Sequence, residues 1–302
     1  MNKALKIALP IAGGLAAAAA AAFLIAPARA DGQQKAAFFG RNIAHRGLHT
    51  KDASIPENSL EAFEAAIDAG YGIELDVHIT ADGKIVVFHD DELSRMCGES
   101  LRIESLSYAE IQKFRLAGTN SKIPLLSEVL SLVSGAVPIV LELKRGGRNR
   151  ELCARGYELV GAYTGEVCVE SFDPLIVRWW RKNAPEIMRG QLSPPYQQSR
   201  KCLDKFKAFV FANLLTNFLS RPHFIAYGIN GKKPPLVKLC EKMGAMRVAW
   251  TSRDWINELD SDMVIFEYYR PKIRYTTGIP SSKSIFVTLR ATKTEITAPC
   301  VT

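Results

Sequence analysis

Glu74, Asp76 and His78 alternate with Ile73, Leu75, Val77 and Ile79 in the stretch "GIELDVHITADGKIVVFHDD", residues 72–91. This is the period-two pattern of a strand that separates a polar from an apolar face. Asp82-Gly83 then suits the positive φ angles of a two-residue hairpin turn. With the turn centred there, paired positions sum to 165, which sets His89 directly opposite Asp76 on the same face. A solvated outer face is the plain alternative for one such hairpin. Other strand ends carry polar groups as well: His45 and Arg46 after "NIA", Glu142 and Lys144 one period-two step apart in "VLELK", and Trp250 in "VAWTS". A salt bridge at a barrel rim would account for Glu142 and Lys144 alone. Taken together, Glu74, Asp76 and Glu142 form a hard oxygen donor set suited to one divalent cation, Mg²⁺ or Ca²⁺, rather than zinc. His45 and His89 can share acid and base roles near neutral pH. Arg46 and Lys144 offer positive charge to an anionic substrate, Arg46 in a planar fork that matches phosphate. These groups describe phosphodiester cleavage, in which a cation stabilises charge on the phosphoryl oxygens and lowers the pKa of an oxygen nucleophile.

Such groups converge only if the elements carrying them end at one mouth. Strands are expected at 42–44, 138–143, 166–172, 187–191, 224–229, 248–251 and 263–266, besides the two arms of the hairpin. Helices are expected at 108–114, 126–133, 175–183, 205–219 and 236–243. The segment "PENSLEAFEAAIDAG" is expected as a further helix, with Asn58 as N-cap, Glu61 closing a capping box, Gly70 past its end, and Leu60, Phe63 and Ile67 buried. Apolar strands alternating with helices predict an α/β fold, a TIM (β/α)₈ barrel, whose strand ends meet at one face. Nine strand candidates exceed eight because so short a turn joins only antiparallel strands. The hairpin is therefore an irregularity near the second and third strands. Residues 272–302 are expected as a strand-rich extension, with "SIFVTL" its clearest strand.

The chain has 302 residues, 47% of them hydrophobic and 23% charged, an ordinary globular balance. Lys3 and Lys6 precede an apolar run from Ile7 to Ala26, followed by Ala28-Arg29-Ala30. Residues 1–30 are thus expected as a signal peptide cleaved after Ala30 or as a membrane anchor, with 31–302 as one catalytic domain outside the cytoplasm. Removing that segment leaves 36 basic against 31 acidic residues, a net +5. Such an excess suits anionic substrates or a membrane surface. No basic cluster interleaved with aromatics argues for nucleic acid. Cys97, Cys153, Cys168, Cys202, Cys240 and Cys300 form no C-x-x-C pair and are expected mostly as packing residues.

In order, "AHRG", "PENS", "ELDVHITADGKIVVFHD", "LELK", "SFDP" and "AWT" resemble the glycerophosphodiester phosphodiesterase family over about residues 40–270. The resemblance implies metal-dependent enzymes with a TIM-barrel fold that release an alcohol and glycerol 3-phosphate from glycerophosphodiesters. It implies His45 and His89 as the acid/base pair, Glu74, Asp76 and Glu142 as metal ligands, and Arg46 and Lys144 on the phosphate. Phe172 and Trp250 would line the glycerol or leaving-group side. It also implies attack by a neighbouring substrate hydroxyl and a cyclic phosphate before hydrolysis. Glu57 and Asn58 match the family's loop-to-helix motif, and the capping role of Asn58 keeps both out of the site. One departure stands out: members commonly carry Thr-Asp before Arg-Pro, where "VIFEYYRP" has Phe266 and Glu267. A rival activity within the same fold is a lysophospholipase D, with "FKAFVFANLLTNFL" holding an acyl chain. The reading preferred for that segment is a packing helix. A non-catalytic phosphodiester-binding module is a further alternative.

Overall fold

Eight of the apolar runs pair side by side as parallel strands and close on themselves. The computed structural model describes residues 3–275 of the chain, and the expected strand at "SIFVTL" lies outside them. The strands are β1 (Arg41–Ala44), β2 (Gly72–Ile79), β3 (Ile85–Val87), β4 (Ile139–Leu143), β5 (Val167–Ser171), β6 (Met188–Ser193), β7 (Phe224–Gly228), β8 (Met246–Ser252) and β9 (Met263–Phe266). Their order is β1-β9-β8-β7-β6-β5-β4-β2-β3, and β1 also pairs with β2, which closes an eight-stranded parallel barrel. β3 stands outside that count as an antiparallel arm on β2. This is the TIM barrel with one hairpin irregularity that the strand spacing predicts.

Every residue of β2 is buried, so the solvated-face alternative does not apply. Ile73, Leu75, Val77 and Ile79 pack outward among Phe63, Leu126 and Val129 of the surrounding helices. The barrel interior is apolar in its lower part, where Ile43, Val140, Cys168, Met188, Phe224 and Met263 meet. The polar members of the strands face inward above that layer. The interior is therefore a packed core that ends in a polar mouth at the carboxyl ends of the strands.

Several helices differ from expectation, and the one expected at 108–114 is helical only over Tyr108–Ile111. Residues 149–161 form a helix not anticipated from the apolar spacing. The segment 205–219 divides into Lys205–Ala212 and Asn217–Ser220, interrupted at Leu214, whose φ is +58°. Only Ala208 and Ala212 of the first piece are buried, while Phe206 and Phe209 are 75% and 50% exposed. Phe206 and Phe209 are thus not the packing face that the segment's apolarity suggested.

The amino-terminal apolar run is helical over Lys3–Ile25. Among the described residues, no helix is long and apolar enough to cross a membrane. The end of this helix belongs to the barrel's outer layer. Ile25 is fully buried with Leu214, Ile225, Tyr227, Val237 and Cys240. The last carbonyls find donors: Asn217 Nδ2 on Ile25 O at 3.2 Å, and Arg221 Nη1 on Phe23 O and Ala26 O at 2.8 and 2.9 Å. Ala30 is buried with Phe38 at the base of the barrel. Among the described residues, Cys97, Cys153, Cys168, Cys202 and Cys240 are free thiols.

Candidate active site

The loop after β1 is built to turn back over the mouth. Arg46 has φ +55° and Gly47 φ +78°. A Cβ on Gly47 would lie 2.8 Å from the carbonyl carbon of Ala62, so only glycine fits this close approach. The turn aims the Arg46 backbone N–H at Glu74 Oε2 (2.9 Å). Its guanidinium donates to Glu57 Oε1 at 2.7 Å and lies 3.4 Å from Asp76 Oδ2.

The helix after this loop is Leu60–Asp68, and its N-cap is Ser59, whose hydroxyl accepts from Ala62 N. The expected cap, Asn58, is displaced by one residue. With φ +56°, it instead turns its amide into the site and donates to Asp76 Oδ2 at 2.8 Å. Glu57 joins as well, bridging Arg46 and Arg95 (2.7 and 2.6 Å). Both residues set aside as structural therefore touch the site.

Asp76 on β2 is in register with Glu142 on β4, and Glu74 lies one inward position below Asp76. One donor oxygen from each of Glu74, Asp76 and Glu142 falls within 4.8 Å of the others. Lys144 Nζ sits between Asp76 Oδ1 and Glu142 Oε1, 2.7 Å from each. Burial, opposed by Lys144, leaves Glu142 above its ordinary pKa. Burial beside Asp76 and Glu142 raises Glu74 well above the usual carboxylate range. Burial also disfavours the Asp76 anion, but Lys144 and Arg46 outweigh it and hold Asp76 well below that range. Glu74 Oε1 is buried with no hydrogen-bond partner. Crowded carboxylates and an orphaned oxygen are what a divalent cation relieves, and the donor set is all oxygen. The three residues fit such an ion.

The hairpin register differs by one from the expected pairing. Thr80 N–H bonds to Lys84 O, Gly83 N–H to Thr80 O, and Gly83 has φ +78°. The loop is therefore Ala81–Gly83, three residues rather than two. Paired positions run Val77↔Val87 and Ile79↔Ile85, so Asp76 stands opposite Phe88 and not His89. His89 nevertheless reaches the mouth because β3 has ended at Val87 and the chain is free to turn. Its Nδ1 lies 2.5 Å from Asp90 Oδ1, and Asp90 accepts from Arg95 Nε on its other oxygen at 2.6 Å. These hydrogen bonds outweigh burial and depress the Asp90 pKa.

His45 is buried beside Glu74. Its Nδ1 lies 3.2 Å from Glu267 Oε2, and its Nε2 is 3.9 Å from Glu74 Oε2. Burial, partly offset by the Glu267 bond, lowers its pKa to about 4, so the ring is neutral at pH 7. Glu267 also faces His49 Nε2 at 3.7 Å and pairs with Arg253. Burial is outweighed by these partners, and the Glu267 pKa is depressed. The departure from the family's usual Thr-Asp thus supplies an anion beneath His45. Phe172 and Trp250 meet edge to face, with centroids 5.4 Å apart at 70°. All nine residues singled out from the sequence are strand-end or mouth residues here. Glu57 and Asn58 had been kept out of the site and Glu267 read only as a departure, while His49 and Asp90 were not singled out; only the neighbouring motifs "HRGLH" and "FHDD" could have signalled those two.

The Glycerophosphoryl diester phosphodiesterase family matches residues 45–270. Glycerophosphodiester phosphodiesterase 1 of Bos taurus is 38% identical over 244 residues, 69% of this chain and 70% of that protein. The lysophospholipase D GDPD1 of Rattus norvegicus is 33% identical over 153 residues, 46% of this chain and 47% of that protein. The match thus spans about half the length of that relative. In three dimensions, a phosphodiesterase of Oleispira antarctica, solved with the product sn-glycerol-3-phosphate, superposes with a TM-score of 0.63 at 23% identity. That likeness covers 78% of this chain and 96% of the other and concerns the fold.

Proposed function

As the chain belongs to the glycerophosphoryl diester phosphodiesterase family, we propose that it hydrolyses glycerophosphodiesters to an alcohol and glycerol 3-phosphate. The observation that carries this reading is the placement of two differently held histidines, His45 and His89, around the carboxylates and cations at one mouth. Glu74, Asp76 and Glu142 would hold one divalent cation, Mg²⁺ or Ca²⁺, which neutralises charge on the phosphoryl oxygens when bound. Arg46 and Lys144 bind the remaining phosphate oxygens.

His45 is the base. Neutral, with its Nδ1–H given to Glu267, it keeps the Nε2 lone pair for a proton. It takes the proton of the glycerol hydroxyl beside the phosphodiester, whose oxygen attacks phosphorus. His89, held at Nδ1 by Asp90, gives a proton from Nε2 to the departing alcohol oxygen. The cyclic phosphate then opens by the reverse exchange: His89 takes a proton from water and His45 returns one to the glycerol oxygen. Phe172 and Trp250 wall the organic part of the substrate.

The amino-terminal segment delivers the barrel outside the cytoplasm, the orientation that Lys3 and Lys6 favour. Burial of Ile25 and Ala30 supports its remaining attached rather than leaving after Ala30. A second reading, a lysophospholipase D, draws support from Phe206 and Phe209 exposed on the helix that follows β6. Ser193, the last residue of β6, bonds Phe211 O, which ties this helix to the mouth side. Turnover of a panel of soluble glycerophosphodiesters and lysophospholipids, each with Mg²⁺ and Ca²⁺, tests the proposal. Release of glycerol 3-phosphate supports it; no release from any diester rejects it.

A further inference from the structure

Among the buried carboxylates of the barrel, Glu170 has no partner at all. It lies on β5 in register with Glu142, which is itself in register with Asp76, so the three form a row across β2, β4 and β5. Glu170 is 1% exposed, and neither carboxylate oxygen has a hydrogen-bond partner. Two residues away on either side, Cys168 packs in the apolar interior and Phe172, past the end of β5, packs against that cluster from the mouth. On its other side, β6 presents Gly190, which has no side chain to offer a donor. A carboxyl group buried with both oxygens unsatisfied is strongly destabilising, and folded proteins seldom keep one without a use for it. Burial, then Glu142 and Asp76, push its pKa well above the usual range, against a weaker opposing pull from Lys144. Within the barrel, Glu74, Asp76, Glu142 and Glu170 face only Arg46 and Lys144 as fixed cations.

We propose that Glu170 is a fourth carboxylate of the divalent-cation site, reaching the ion through one of its bound waters, since the donor oxygens that lie within 4.8 Å of one another are those of Glu74, Asp76 and Glu142. This rests on the reading of Glu74, Asp76 and Glu142 as a cation site. A carboxylate bonded to a metal-bound water adds charge and orientation to the site without adding a ligand.

Calorimetric titration of the purified full chain with CaCl₂ and with MgCl₂, beside Glu170→Gln, tests this. Glu170→Gln keeps the shape and removes the charge. It is expected to weaken binding of either ion that the parent holds by about 10-fold or more. An affinity within about two-fold of the parent, for an ion that the parent binds, overturns the role of Glu170 and leaves the three-carboxylate reading intact. A parent that binds neither ion overturns both. Should Glu170→Gln fail to fold, Glu170→Asp withdraws the oxygens by one methylene and carries the same two expectations.

Discussion

Replacing Glu267 by Gln removes the anion beneath His45 while leaving an oxygen that can still accept a hydrogen bond. As base, His45 becomes an imidazolium when the substrate hydroxyl loses its proton, 3.2 Å from a Glu267 oxygen. At that distance the pair is worth about 5 kcal/mol with an effective dielectric constant near 20. Arg253, already bound to the same carboxylate, reduces that stabilisation. Hydrogen bonds to charged groups contribute about 1.5–3 kcal/mol net. Taking ~2–3 kcal/mol, kcat falls by about 30- to 150-fold, while KM and the affinity for the metal stay near those of the parent. The pH profile gives a second readout. Turnover needs neutral His45 and is lost as pH falls through its pKa, which lies at about 4. Glu267 raises that pKa, as does Asp76, while burial and Arg46 lower it. Removing Glu267 therefore moves the acidic limb to lower pH. Initial rates across pH with one soluble glycerophosphodiester measure both effects. A kcat within about three-fold of the parent, or an acidic limb that moves up, refutes the role given to Glu267.

His89→Ala should lose about 10²–10⁴-fold in turnover at every metal concentration while metal affinity, read by calorimetry, is retained. Replacing both Phe206 and Phe209 by Ser should leave turnover of soluble diesters unchanged, since both side chains are exposed; loss of activity on long-chain lysophospholipids alone would favour the lipid-directed reading. Removing residues 1–30 uncovers the pocket of Ile25, whose burial is worth about 1.5–3 kcal/mol, and should lower the melting temperature by several degrees in a calorimetric scan. An unchanged melting temperature would show that the docked end contributes nothing.

The placement of the candidate residues was legible where strand alternation alone carries it. Glu74, Asp76 and Glu142 share the barrel interior because a period of two puts them there. His45, Arg46 and Lys144 follow from the ends of apolar runs. For His89 the expected register was wrong by one residue. The turn holds one residue more than Asp82-Gly83 suggests, since Gly83 takes the positive φ and Ala81 joins the loop. The early end of β3 then let the chain swing back. Asn58 was misread for a local reason: Ser59 offers an equally good cap, and only the tertiary pull of Asp76 decides which residue caps. Glu267, His49 and Glu170 act through partners far away in the chain or across strands, whereas Asp90 holds its neighbour His89 and Arg95. A single strand's pattern does not reveal that β5 sits beside β4 with Glu170 level with Glu142. The break at Leu214, with φ +58°, had one marker that the apolar pattern overrode, Asn213, which caps the first piece.

The central claim is that a cation held by Glu74, Asp76 and Glu142 serves phosphodiester cleavage by His45 and His89. Its most direct test is release of glycerol 3-phosphate by the chelated full chain as Mg²⁺ or Ca²⁺ is returned, for the parent and for Asp76→Asn, with metal binding titrated in parallel. The parent should be inactive after chelation and recover in step with metal binding. Asp76→Asn should bind the metal at least about 10-fold more weakly and need correspondingly more of it for turnover. Full activity of the chelated parent, or Asp76→Asn turning over with the parent's metal requirement, would contradict the account.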